Sequence, residues 1–252
     1  MNQKKSQVTA FVVFGLILIV LVSGFIFLQS SLFSFGRTKI GEEIEAIHLI
    51  VESCVEETAK KAVLHIGKKG GYFAKIPEPS YKDRLPYYFH DGKNYIPDKA
   101  DIESELSLYI NERLPDCVDF SAFSDLEIER GEVRSSVVIR KDSVVFDVEY
   151  PIGVTREGEK TYFLRDFKTA VPVRLGTIYD AIRIFIFDQV KHGNKTCLVC
   201  LNAITRGPYF RVNVYDATIN ATIFTFIDNN HSINDERFIF NFVNKYNQTL
   251  MY

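Results

Sequence analysis

The chain has no tryptophan and only two methionines among 252 residues. Tryptophan is a common residue of membrane-interface belts and of platforms that stack sugars, and here only the 13 tyrosines and 21 phenylalanines are left to serve in its place. Neither sign of charge is in excess, since 30 Lys and Arg face 32 Asp and Glu, a net charge of −2. No basic stripe with interleaved aromatics occurs, so nucleic acid is not an expected partner. The motifs GxSxG, HExxH and GxGxxG are all missing. Gly67–Gly71 lacks the spacing of a phosphate loop and follows no strand. Its five histidines are scattered. No catalytic, cofactor-binding or metal-binding residue is expected, and the chain does not read as an enzyme. What it does have is core-forming material: 46% hydrophobic against 25% charged residues, a balance that argues against disorder.

Its most informative segment is apolar. Ala10 to Leu28 is interrupted only by Gly15, Ser23 and Gly24, and no charge falls between Lys5 and Arg37. A helix of that length rises roughly 28 Å, about the hydrocarbon thickness of a bilayer. The stretch that follows, Gln29-Ser30-Ser31-Leu32-Phe33, is a poor signal-peptidase site, so the segment is expected to stay in the membrane. Lys4 and Lys5 should hold their side in the cytoplasm. The expected organisation is a cytoplasmic N-terminus (1–9), a transmembrane helix (10–29), an amphipathic stalk helix (37–71) and an extracytoplasmic α+β domain (72–252). The lipid bilayer is then a partner, and Gly15 and Gly24 would let the N-terminal helix approach a second copy or an envelope protein.

Lys4-Lys5-Ser6-Gln7-Val8-Thr9, set directly before the apolar run, resembles the N-terminus of archaeal type IV pilin and archaellin precursors. The chain as a whole resembles archaeal single-pass membrane ectodomains. The pilin resemblance implies cleavage between Ser6 and Gln7, a mature chain that begins with its hydrophobic helix, and a pilin-like structural or interaction role. The sequence departs from the family at the fifth mature position, where many pilins carry Glu and this chain carries Phe11. The other reading of the same outline is a ligand-binding or sensor domain held outside the membrane.

Beyond the anchor, Ile40, Ile44, Ile47, Val51 and Cys54 recur at helical spacing, continued by Val55, Ala62 and Ile66. Gly67 and Gly70-Gly71 are expected to stop that helix. Tyr72–Asp98, with four prolines, reads as an extended connection. Asp98 or Asp101 should cap a second helix carrying Ile102, Leu106, Tyr109, Ile110 and Leu114, with Pro115 ending it. From Leu126 the period becomes two. Strands are expected at 126–131, 133–140, 143–150 and 161–173, then near 209–216, 219–227 and 237–244. Lys141-Asp142 should turn one hairpin. Gly153 and the 156–159 tip should separate two strands, and Pro172 should mark a sheet edge. A third soluble helix over about 176–191 has Ile178, Ile182, Phe185 and Ile186 on one face. Ile184 and Phe187 lie on another, so burial on more than one side is expected. The fold class is therefore α+β: a mostly antiparallel sheet packed with two helices beyond the stalk.

Four cysteines, an even count expected outside the cytoplasm, point to disulfides. Three pairings exist, and the favoured one joins Cys54 to Cys117 and Cys197 to Cys200. The latter pair opens no evident helix, which argues against a redox motif. A zinc site would need further ligands, and His192 alone lies near it in sequence. N-glycosylation sequons stand at Asn194, Asn220, Asn230 and Asn247. Asp228–Glu236 resembles half a calcium loop, but Ile233 sits where Gly is needed, so a polar turn between strands is the expected structure.

Overall fold

The computed structural model describes residue 22 and residues 41–156, 161–193, 195–207 and 209–246. The expected cytoplasmic segment 1–9, the membrane helix 10–29 apart from Val22, and stalk residues 37–40 lie outside the described residues. Among the described residues no helix is long and apolar enough to cross a membrane. The chain divides into two compact units between His48 and Leu49. The architecture that follows is that of the second, an α+β unit with mostly antiparallel sheets.

In this unit helix α1 occupies 49–68. Its stripe from Val51 onward, with Cys54, Val55, Ala62 and Ile66, is buried as the spacing predicts. Gly67 does not stop the helix; it lies within it. A Cβ there would strike the Ile239 carbonyl oxygen and the Phe238 ring, so the glycine lets α1 touch backbone. The stop comes at Gly70 and Gly71, with φ of +63° and +91°. The Gly71 N–H bonds back to the Ile66 carbonyl at 2.9 Å and closes the end of the helix.

The first sheet runs β1-β2-β10-β9-β8, with β3 also on β2. Its strands are β1 (Ser80–Tyr81), β2 (Leu85–His90), β3 (Lys93–Asn94), β8 (Phe210–Thr218), β9 (Ala221–Ile233) and β10 (Glu236–Lys245). Most neighbours are antiparallel, and β2 lies parallel to β10. The 72–98 segment is thus more than a connection. Pro86 falls at the second residue of β2, where a missing N–H costs little, and Tyr88 and Phe89 behind it are fully buried. Asp91-Gly92, both at positive φ, form the primed turn into β3. Asn234-Asp235, at φ of +49° and +62°, do the same between β9 and β10, so the half calcium loop is a hairpin. Period-two alternation aims Phe238, Phe240 and Phe242 of β10 inward, and register sets Phe242 opposite Phe224 and Phe240 opposite Phe226.

The second sheet is built on β6 (Ser143–Thr155). β4 (Glu127–Arg130) and β5 (Arg134–Ile139) share one side of it, and β7 (Tyr162–Pro172) takes the other. β7 pairs only with β6, so Pro172 ends an edge strand as expected. Gly153 does not break β6. A register shift between Glu149 and Ile152 absorbs Tyr150 and Pro151, and pairing with β7 resumes to Val154. The Lys141-Asp142 hairpin forms, with the Arg140 N–H on the Ser143 carbonyl at 2.8 Å.

Helix α2 (Lys99–Cys117) is capped by Asp98, whose N–H donates to Asp101 Oδ2 at 3.0 Å. It buries Ile102, Leu106, Ile110 and Leu114. Pro115 lies inside its last turn and does not end it. At that position a proline forfeits one hydrogen bond without unwinding the two residues beyond it. α2 also covers the free edge of β5: Glu103 Oε1 accepts the Ile139 N–H at 2.8 Å, and Ser107 Oγ donates to the Ser135 carbonyl at 2.7 Å. Helix α3 (Leu175–His192) buries the predicted face, Ile178, Ile182, Phe185 and Ile186. Ile184 and Phe187 are instead exposed, because only one side of α3 meets the strands. Helix α4 (Leu198–Ile204) is short and was not expected.

Candidate functional site

Two places gather polar chemistry beyond what folding the strands requires. The first lies where the chain leaves β7 and enters α3. Gly176 in the first turn of α3 sits against the Arg140 backbone, where a Cβ would collide with the carbonyl. Thr177 N–H and Oγ1 both donate to the Lys141 carbonyl, at 3.2 and 3.1 Å. This close seating places Arg174, the residue before α3, over Asp228 in the middle of β9. There the Asp228 carboxylate, 0% exposed, accepts the backbone N–H groups of Arg174 at 3.2 Å, Asn230 at 3.0 Å and His231 at 3.2 Å. The His231 ring lies 3.1 Å away and Arg174 Nη1 3.7 Å. The guanidinium also stacks 5.0 Å from the Tyr209 ring centre and faces Asp142 at 3.6 Å. The Asn230 amide oxygen accepts from Arg174 Nη1 at 3.0 Å and Nη2 at 3.3 Å. A cleft of 390 Å³ opens beside this node, lined by Lys141, Asp142, Thr177, Asp180 and Tyr209.

The chemistry of the node is structural first. A carboxylate offers about four acceptor positions, and every one at Asp228 is engaged, so it has no lone pair to give a substrate in the cleft. Burying the charge is tolerable because it is paired and fully hydrogen-bonded. Removing one partner leaves the other uncompensated. Asp228→Ala is therefore expected to lower stability by about 3 kcal/mol, read as a fall in the urea midpoint at constant slope. A loss under about 0.5 kcal/mol, as for an ordinary surface change, would show that water already satisfies these groups.

The second place is the α3–α4 corner. Gln189 is 0% exposed and organises it with three bonds. Its Nε2 donates to the carbonyls of Gly193 at 3.0 Å and Lys195 at 2.8 Å, and its Oε1 accepts the Cys197 N–H at 3.0 Å. Cys197 caps α4, its Sγ accepting the Cys200 N–H at 3.2 Å. The CxxC pair thus does open a helix, contrary to the sequence expectation, because a seven-residue helix is too short to show a period. His192, at the end of α3, sets its Nδ1 3.8 Å from Cys200 Sγ and 2.8 Å from the Asp188 carbonyl. Around the corner stand exposed apolar side chains, Phe187, Leu198 and Val199 among them.

The predicted site residues fall as follows. Both expected disulfides form: Cys54–Cys117, with Cα atoms 5.7 Å apart, and Cys197–Cys200, at 5.2 Å. Ser6, Gln7, Asn194 and Asn247 lie outside the described residues. Asn220 is half-buried in the β8–β9 turn, its Oδ1 held by Thr218 Oγ1 at 3.1 Å, and Asn230 is exposed beside Arg174. Burial pushes the Tyr88 hydroxyl well up, and it donates to the Gly70 carbonyl at 3.2 Å. Tyr179 is raised by burial and then by the Asp98 charge. Sequence reasoning missed Gln189 and read Asp228 only as the start of a polar turn, although each left a trace. Asp228 ends the run Phe224–Ile227, and Gln189 continues the core spacing of Ile182, Phe185 and Ile186. Comparison with protein families, with curated proteins and with solved structures finds no match for the chain.

Proposed function

We propose that this chain is a membrane-anchored, extracytoplasmic structural or interaction protein, built as a pilin-like subunit with its N-terminus in the cytoplasm. The observation that carries this reading is the pairing of all four cysteines, with none left free. Stable disulfides belong to oxidising compartments. The 19-residue apolar segment from Ala10 to Leu28 supplies the means of anchoring a domain there. The sequons at Asn220 and Asn230 agree with an outward-facing, glycosylated surface, and both asparagines keep at least part of their surface accessible. Assembly, with a second copy or with another envelope protein, would run through the N-terminal helix.

The test is the first residue of the mature, membrane-extracted protein, determined by intact mass and N-terminal peptide analysis. A start at Gln7 supports processing between Ser6 and Gln7 and makes assembly the property to pursue. An intact Met1 or Asn2 overturns the pilin reading. A second reading, a ligand-binding or sensor module, is favoured by the 390 Å³ cleft beside Arg174 and Tyr209. It predicts that a bound small molecule raises the melting temperature of the chain and that Tyr209→Ala abolishes that shift.

A further inference from the structure

We propose that His192, Cys197 and Cys200 form a site for a thiophilic divalent cation, zinc by its coordination chemistry, which the disulfide closes and reduction opens. One ligand atom from each residue lies within 4.8 Å of the others, the only such cluster among the described residues. Tetrahedral zinc, with bonds of about 2.3 Å to sulfur and 2.0–2.1 Å to nitrogen, sets sulfur about 3.6 Å from nitrogen and about 3.8 Å from the second sulfur. Cys200 Sγ already stands 3.8 Å from a ring nitrogen of His192. Two cysteines separated by two residues can chelate one ion once their mutual bond is broken.

The surroundings suit a metal. The three bonds of the buried Gln189 fix the loop that carries Cys197 against the end of α3, so the ligands are held in place before any ion arrives. His192 Nδ1, the nitrogen that faces Cys200 Sγ, lies 2.8 Å from the Asp188 carbonyl one turn back, and binding the cation exchanges that contact for a bond to the metal. The cysteines are buried while His192 is exposed. The site therefore opens to solvent on one side, where water would complete the tetrahedron. Two thiolates and an imidazole select zinc-like cations over magnesium or calcium, which demand oxygen.

The chemistry balances with a dithiol as the reductant. Its two thiols reduce the Cys197–Cys200 bond by exchange through a mixed disulfide. The reductant leaves as a cyclic disulfide, and its two electrons and two protons pass to the two cysteines. The cation then displaces those two protons to solvent and binds the two thiolates. In the oxidised protein each sulfur is committed to the other and cannot ligate. The same residues would thus bind metal only where the corner is kept reduced.

The full chain, reduced with dithiothreitol and desalted without oxygen, should be titrated with Co²⁺, whose thiolate charge-transfer and d–d bands report ligand type and geometry. One Co²⁺ per chain is expected, with tetrahedral bands that Zn²⁺ displaces and the oxidised chain lacks. His192→Ala should weaken binding at least tenfold, and Cys54→Ser/Cys117→Ser should leave the bands in place. The proposal is overturned if the reduced chain shows no thiolate band. It is equally overturned if the band survives Cys197→Ser/Cys200→Ser, is indifferent to His192→Ala, or disappears with Cys54→Ser/Cys117→Ser.

Discussion

Phe242→Ala lowers the stability of the second unit by about 5 kcal/mol, the upper end for loss of a buried aromatic ring. Phe242 is 0% exposed on β10, a strand flanked on both sides. Its ring stacks on Tyr88 at 4.6 Å and on Phe224 at 5.2 Å, and lies 5.8 Å from Phe226 and 6.5 Å from Phe185. Four other rings on β2, β9 and α3 therefore lose a neighbour together. Their positions are fixed by strand register and by the helix above, so the void collapses poorly. The urea midpoint should fall at constant slope. The control is Phe163→Ala on edge strand β7, where the ring is 76% exposed and the change should stay within about 0.5 kcal/mol. Equal losses at the two sites would refute the assignment of the core to this face of the first sheet.

Opening the Cys54–Cys117 bond comes next in size. It ties α1 to the last residue of α2 across a sequence separation of 63. In the chain-entropy account, releasing a loop of that length costs roughly 4 kcal/mol. The Cys197–Cys200 bond spans a separation of 3, for which the same account gives under about 2 kcal/mol. Cys54→Ser/Cys117→Ser should therefore lower the unfolding free energy at least twice as far as Cys197→Ser/Cys200→Ser. Equilibrium denaturation followed by far-ultraviolet circular dichroism suits a chain without tryptophan. The reverse order would mean that the α2 terminus is held by packing alone and that the short bond carries the fold.

The same bond shows what the sequence could say. An even cysteine count in a chain with one long apolar run was enough to expect pairing, and helical spacing placed Cys54 on one helix and Cys117 just past the expected end of another. Periodicity similarly announced α2, α3 and the strands from β4 to β10, because burial of one face repeats every 3.6 or 2 residues and local spacing records it. The strands it hid were β1, β2 and β3, where Pro77, Pro79 and Pro86 read as a connection, although Asp91-Gly92 was the ordinary mark of a hairpin. That β2 would lie parallel to β10, about 150 residues away, no local pattern could state.

The two polar sites divide in the same way. Chain spacing alone placed Cys197 three residues before Cys200 and left His192 nearby. That Gln189 would fold the intervening loop so that all three converge is a consequence of one buried amide with three partners. Arg174 and Asp228 lie 54 residues apart and meet only because α3 seats its glycine on the Lys141 turn. Composition and periodicity determined what this chain is made of, a long apolar N-terminal segment and a disulfide-bonded α+β unit. Which side chains meet was decided by long-range register and close backbone contact. Those depend on free energies summed over the whole core, and no window of sequence contains them.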